Sequence, residues 1–205
     1  MRKIEKTIYS FDELNEDIKD KLIEEEKDKE YQLYLEHSLE DDMTIKASEL
    51  VKEYFSKDSK FDGTYYSLSY CQGDGAMIEF TTYTSVINYL LDGGLTYGEI
   101  KTIESYGDTI KVKHNNSCHY YHENSFTIDY ESDYSYFTDE NVEELENKIE
   151  KLIEKFTDVI IKMNKELTNY GWDMIDRDKY YYDMSCILEM LRENEYYEDG
   201  GVYYG

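Results

Sequence analysis

Proline is absent from this 205-residue chain, so no proline-rich linker divides it, and the length predicts a single domain over 1–205, with two small ones as the alternative. Cysteine is scarce: Cys71, Cys118 and Cys186 are an odd, widely scattered set, which excludes a disulfide framework. Long apolar runs are also missing, which excludes a membrane-spanning helix of about 20 residues. Basic residues are few, with 22 Lys and Arg against 47 Asp and Glu and a net charge of −25. A chain of that sign repels phosphate, so direct nucleic-acid binding and docking on an anionic membrane surface are excluded too. Met1-Arg2-Lys3 leads into an acidic amphipathic stretch instead of an apolar segment with a cleavage site; the expectation is a cytoplasmic protein with reduced thiols. Large aliphatic and phenyl side chains are in short supply, since Ile, Leu, Val and Phe total 45. Tyrosine, at 24 residues, must complete the core, and each buried ring then needs a partner for its hydroxyl.

What is present divides the chain into three textures: 1–60 helical, 61–137 mainly β, and 138–205 helical with a short terminal strand. Ser10-Phe11-Asp12-Glu13 opens with a capping box, and Leu14, Ile18, Leu22 and Ile23 follow at helical spacing. The nearly all-charged Glu24–Glu30 is either a solvated helix segment or a break, and a second helix is predicted over 44–56. Strands are predicted over Tyr65–Cys71, Ala76–Tyr83, Thr109–His114 and Phe126–Tyr130, while Val86–Leu91 is an apolar run of undecided type. From Thr138, Val142, Leu145, Ile149, Leu152, Phe156, Val159 and Met163 recur at alternating steps of three and four, the clearest helical signal in the chain. Gly171 should end or kink this helix, and another is predicted over 174–194. The fold class is therefore α+β: an antiparallel sheet from the middle third packed against N-terminal and C-terminal helices.

Three segments together resemble a family of small acidic proteins encoded by phages and prophages, uncharacterised and sometimes labelled antitoxin-like. They are TIYSFDELNEDIKDKLIEEEKDKE at the start, YYSLSYCQGDGAMIEF in the middle and LRENEYYEDGGVYY at the end. The resemblance covers about a third of the residues and carries over no catalytic residues. It implies a mobile-element protein made inside a bacterial cell, where such proteins counter host defences or neutralise toxins. The chain departs from the family pattern in its longer, Tyr-rich middle and in Cys71, where Ser is expected.

Two motifs carry possible chemistry. Gln72-Gly73-Asp74-Gly75 is a ligand site if its amides face an anion or Asp74 serves as base or metal ligand, but a hairpin turn accounts for all four residues. Cys118-His119-Tyr120-Tyr121-His122 has zinc-like donors, with only His114 near enough to help; its simpler reading is a turn between strands, and no metal or other cofactor is assigned. No nucleophile–base pair is evident, so the expectation is a binding protein with no catalytic residue.

The acidity itself is the remaining feature. Residues 1–60 carry −7, 61–128 carry −5 and 129–205 carry −13. Glu140, Glu143, Glu144, Glu150, Glu154 and Asp158 lie outside the apolar stripe of the last third and are the predicted partner-binding residues. The total far exceeds the charge of about 2–8 that suffices for a small domain's solubility. The expected partner is a basic nucleic-acid-binding protein such as a defence nuclease, met by mimicry of nucleic acid, with carboxylates pairing with Arg and Tyr rings stacking on guanidinium planes. The alternatives are an antitoxin-like neutraliser of a co-encoded toxin, and an enzyme or small-ligand binder using the Gly-Asp-Gly turn.

Overall fold

The computed structural model describes residues 6–70, 73–131 and 142–204. In chain order the elements are β1 (Tyr9–Ser10), α1 (Glu16–His37), α2 (Leu39–Tyr54), β2 (Lys60–Ser67), β3 (Gly75–Tyr83), α3 (Thr84–Leu91), α4 (Tyr97–Tyr106), β4 (Thr109–His114), β5 (Phe126–Glu131), α5 (Val142–Met174), α6 (Met184–Arg192) and β6 (Glu195–Tyr196). The class is α+β, with helices flanking an antiparallel sheet of order β2-β3-β4-β5. The chain packs as two compact units, one of Glu40–Ile175 and one of Met1–Leu39 with Asp176–Gly205. No helix among the described residues is long and apolar enough to cross a membrane.

In the larger unit β3 is one of the two inner strands, with Ala76, Met77, Ile78 and Phe80 fully buried. Helix α5 lies on it. Phe156 of α5 and Phe55 beyond α2 meet Phe80, with Phe55 and Phe80 stacked at 4.9 Å and Phe55 and Phe156 edge to face at 5.2 Å, a preferred aromatic geometry. The buried stripe of α5 runs Leu145, Ile149, Leu152, Phe156, Ile160, Met163, Leu167. The expected Val159 is displaced by Ile160, because a straight helix drifts about 20° per heptad against a strict seven-residue repeat. Strand β4 pairs only with Phe80–Tyr83, so the first half of β3 turns amides toward α5 instead. Ala76 N donates to Thr168 Oγ1 at 2.8 Å and Ile78 N to the fully buried Asn164 Oδ1 at 3.1 Å. Asn164 Nδ2 then donates to Glu123 O at 3.2 Å.

Two expectations for the last third are corrected here. Helix α5 passes through Gly171 without ending; the glycine is buried where a Cβ would come 2.7 Å from Leu68 Cδ1 and 3.1 Å from Met43 Sδ, so its role is close approach. The helix predicted over 174–194 is only α6, because Asp183 accepts from the Ser185 and Cys186 amides and starts it there. The undecided run Val86–Leu91 is helical, as part of α3.

In the smaller unit the two-stranded ribbon of β1 and β6 pairs Tyr9 with Tyr196. Phe11, Leu14, Leu22, Ile187, Leu191 and Tyr196 form its core, and the buried Tyr196 hydroxyl donates to Leu191 O at 2.8 Å. Tyr31 and Tyr196 are the buried tyrosines among the described residues. Tyrosine thus completes the smaller core, whereas the larger relies on phenylalanine and aliphatics. Glu24–Glu30 is continuous helix within α1, laced by pairs such as Lys27–Glu24 and Lys29–Glu26, both 2.7 Å. Glu13 accepts from both the amide and the hydroxyl of Ser10, at 2.9 and 2.8 Å.

Candidate functional site

The turn between β2 and β3 begins with a carboxylate already engaged. Ser67 Oγ donates to Asp74 Oδ1 and Ser69 N to Asp74 Oδ2, each at 2.7 Å. Asp74 therefore ties β2 back onto the turn, which is the local side chain-to-backbone bonding Asp favours in turns. Gly73 has φ of 96°, and a Cβ on Gly75 would lie 3.0 Å from His122 Cα. The 115–125 loop is laid directly over the turn, bringing together the two motifs that stood apart in the sequence. Gln72 lies outside the described residues.

Within that loop the donors do not converge. His119 is exposed, Cys118 is half-buried, and His122 Nδ1 accepts from Asn124 N at 3.1 Å. Among the described residues no group of three or more His, Cys, Asp or Glu is placed to hold a metal ion. Rings fill the space instead: Tyr121 stacks on Tyr65 at 5.5 Å and tilts over His114 at 4.9 Å.

The acidic face of α5 is different: the predicted Glu144 is paired with Lys148, but further along the helix carboxylates are left free while Lys148 and Lys155 are drawn to other partners. Lys148 Nζ donates to Glu99 Oε1 at 2.8 Å and lies 3.0 Å from Glu144 Oε1. Glu99 is also the capping residue of α4, accepting from Thr96 N at 2.6 Å. Its carboxyl is held below the ordinary range, chiefly by the Lys148 hydrogen bond and further by Thr96. Lys155 Nζ donates to the carbonyls of Leu91 and Asp92, at 3.4 and 3.0 Å, where α3 ends and its dipole favours a cation.

Glu150, Glu154 and Asp158 are exposed and make no ion pair among the described residues. Glu146 joins them one step earlier, also exposed and unpaired. Sequence reading passed over Glu146, although its position four residues before Glu150 was the available signal. The four carboxylates form one i, i+4 row with a rise of about 6 Å per step. Exposed Lys151 is the neighbouring cation. Glu140 and the side chain of Glu143 lie outside the described residues. Exposed rings elsewhere on the same unit include Tyr70, Tyr89 and Tyr97.

Comparison of the chain with protein-family models, curated proteins and solved structures finds no match.

Proposed function

We propose that this protein is a phage- or prophage-encoded inhibitor that binds a basic nucleic-acid-processing protein of the bacterial host's defences, its carboxylates standing in for phosphates. The observation that carries the reading is the free row Glu146, Glu150, Glu154 and Asp158, with Lys148 and Lys155 drawn to partners of their own and Lys151 alone left exposed beside it. An ordinary solvated helix face interleaves its charges into i, i+4 pairs, each stabilising by about 0.2–0.5 kcal/mol. This row forgoes that gain and accepts like-charge repulsion of similar size. Its axial step of about 6 Å approaches the ~6.8 Å that alternate phosphates of one strand rise along the duplex axis, so a groove of Arg and Lys built for phosphates finds acceptors at a comparable rise. The net charge of −25 steers a basic partner toward this surface at low salt.

The test is inhibition of purified DNA-degrading defence nucleases, with duplex DNA as competitor. Inhibition should weaken steeply between about 50 and 300 mM salt and be relieved by DNA. The triple substitution Glu150→Gln, Glu154→Gln, Asp158→Asn should weaken it about 10- to 100-fold without changing the circular dichroism spectrum. Inhibition indifferent to salt and to DNA overturns the reading.

A further inference from the structure

Among the described residues, the outer edge of β5 is open over Phe126–Ile128, beside an apolar groove and an acidic rim. An edge strand presents unpaired N–H and C=O groups, and proteins commonly guard such edges with bulges and charges. The opposite edge, β2, has both: a register break between Phe61 and Gly63, and the charged pair Lys60 and Asp62. Strand β5 carries charge as well, Asp129 accepting from Lys113 Nζ at 2.8 Å, but it has no bulge: it pairs with β4 in unbroken register from Thr109↔Glu131 to His114↔Phe126. Asn115 N donates to Ser125 O at 3.0 Å, which sets the alternation. The backbone groups of Thr127 and Asp129 turn to β4, and those of Phe126 and Ile128 turn outward. Among the described residues nothing hydrogen-bonds to these outward groups. Phe126 and Ile128 are half-buried, and with Asn124, Thr157 and Ile161 they line a cavity of about 330 Å³ between β5 and α5. Glu154 and Asp158 stand three residues before Thr157 and Ile161, and so on the same turns of α5.

We propose that β5 accepts an extended basic segment of the partner protein as an added strand, with Arg or Lys at alternate positions laying their stems on the groove and their head groups on Glu150, Glu154 and Asp158. Same-face residues of a strand recur at about 6.6–6.8 Å and the acidic row at about 6 Å, so three successive basic residues stay in step with three carboxylates. Long basic side chains are the single residue type that satisfies both an apolar floor and an acidic rim. Charge argues against other occupants. The chain's own 132–141 carries three acids and no base, and a second copy brings another −25. The proposal rests on the preceding reading for the partner's basic character only.

The experiment uses the full chain and the synthetic peptide Thr-Arg-Val-Arg-Thr-Arg-Val-Arg-Thr, with amide hydrogen exchange as readout. Exchange at Ile128 should slow about tenfold or more on binding, and the same peptide N-methylated at alternate residues, with charge unchanged, should bind about tenfold more weakly. Equal binding of the methylated peptide, or binding that leaves Ile128 exchange unaltered, overturns the proposal. So does protection of Ile128 in the isolated protein, which would place 132–141 or a second copy on the edge. The two readings fail separately. DNA-competed, salt-sensitive nuclease inhibition without Ile128 protection in the complex overturns only strand addition; Ile128 protection by the peptide without inhibition of any basic nuclease supports strand addition and overturns the inhibitor reading.

Discussion

At the scale of single residues, Asn164 ties α5 to both β3 and the 115–125 loop. It satisfies an amide of β3 and the carbonyl of Glu123, and it has no exposed surface. Asn164→Ala leaves the buried Ile78 amide and the part-buried Glu123 carbonyl without these partners, the first costing about 1–3 kcal/mol and the second less. A loss of about 2–4 kcal/mol in urea denaturation is expected. Tyr54 offers a second measurement. Burial, then its 2.9 Å hydrogen bond to Glu166, pushes its hydroxyl up to about 12 from 10.0. The folded state holds this proton more tightly than the unfolded one, so the contribution is intact below pH 10.0 and is lost as pH rises through about 12. Alkaline titration at 295 nm should show Tyr54→Phe lacking the step near pH 12, with a flatter fall in stability above pH 10. Neither role was readable beforehand, because Asn164 and Tyr54 act through residues distant in the chain.

Whole elements were legible where one signal dominated. Thr109–His114 and Phe126–Tyr130 alternate apolar and polar residues, and β4 and β5 occupy those positions with one added residue, Glu131. Such alternation survives when one face is covered and the other is wet. The apolar run Val86–Leu91 lacked that contrast and became α3. Tyr180–Tyr182 fell inside the helix predicted over 174–194 but belong to a ring cluster, with Tyr180 5.5 Å from Tyr31 and 4.9 Å from Tyr182. Glu150, Glu154 and Asp158 were legible from spacing, but Glu146 was passed over and Glu144 proves paired; the withdrawal of Lys148 and Lys155 was not legible, since it depends on α4 and the end of α3. Glu99→Gln tests that link. It removes the anion holding Lys148 inward, so thermal stability should fall by about 0.5–1.5 kcal/mol at pH 7. Because the Glu99 carboxyl is held low, its contribution is present above 4.5 and fades as pH falls below that value, so wild type and variant should converge under acid.

For the whole molecule, division into thirds proves less informative than division into packed units. The smaller unit has 20 acids against 10 bases and the larger 27 against 12, so the acidity first assigned to the last third belongs to both. Each unit has its own buried core, and a single cooperative transition is not required. Tyr196→Ala removes the ring that closes the smaller core and should destabilise that unit by about 3–5 kcal/mol. Amide exchange should then rise in α1 and α6 while the sheet of Glu40–Ile175 stays protected. Equal loss of protection in both would mean the units unfold together.

The pairing of β1 with β6 also sets a timetable for synthesis. The larger unit lies wholly between the two segments of the smaller one, so α1 leaves the ribosome long before Ile187, Leu191 and Tyr196 exist to cover it. At about 5–20 residues per second that wait is roughly 10–30 s. Few residues of α1 need cover in that interval: Leu22 and Tyr31 are the buried ones in a 22-residue helix otherwise crowded with charge. The nearly all-charged stretch Glu24–Glu30 thus suits a nascent helix that must stay in water, unaggregated, until the second segment of its own unit arrives.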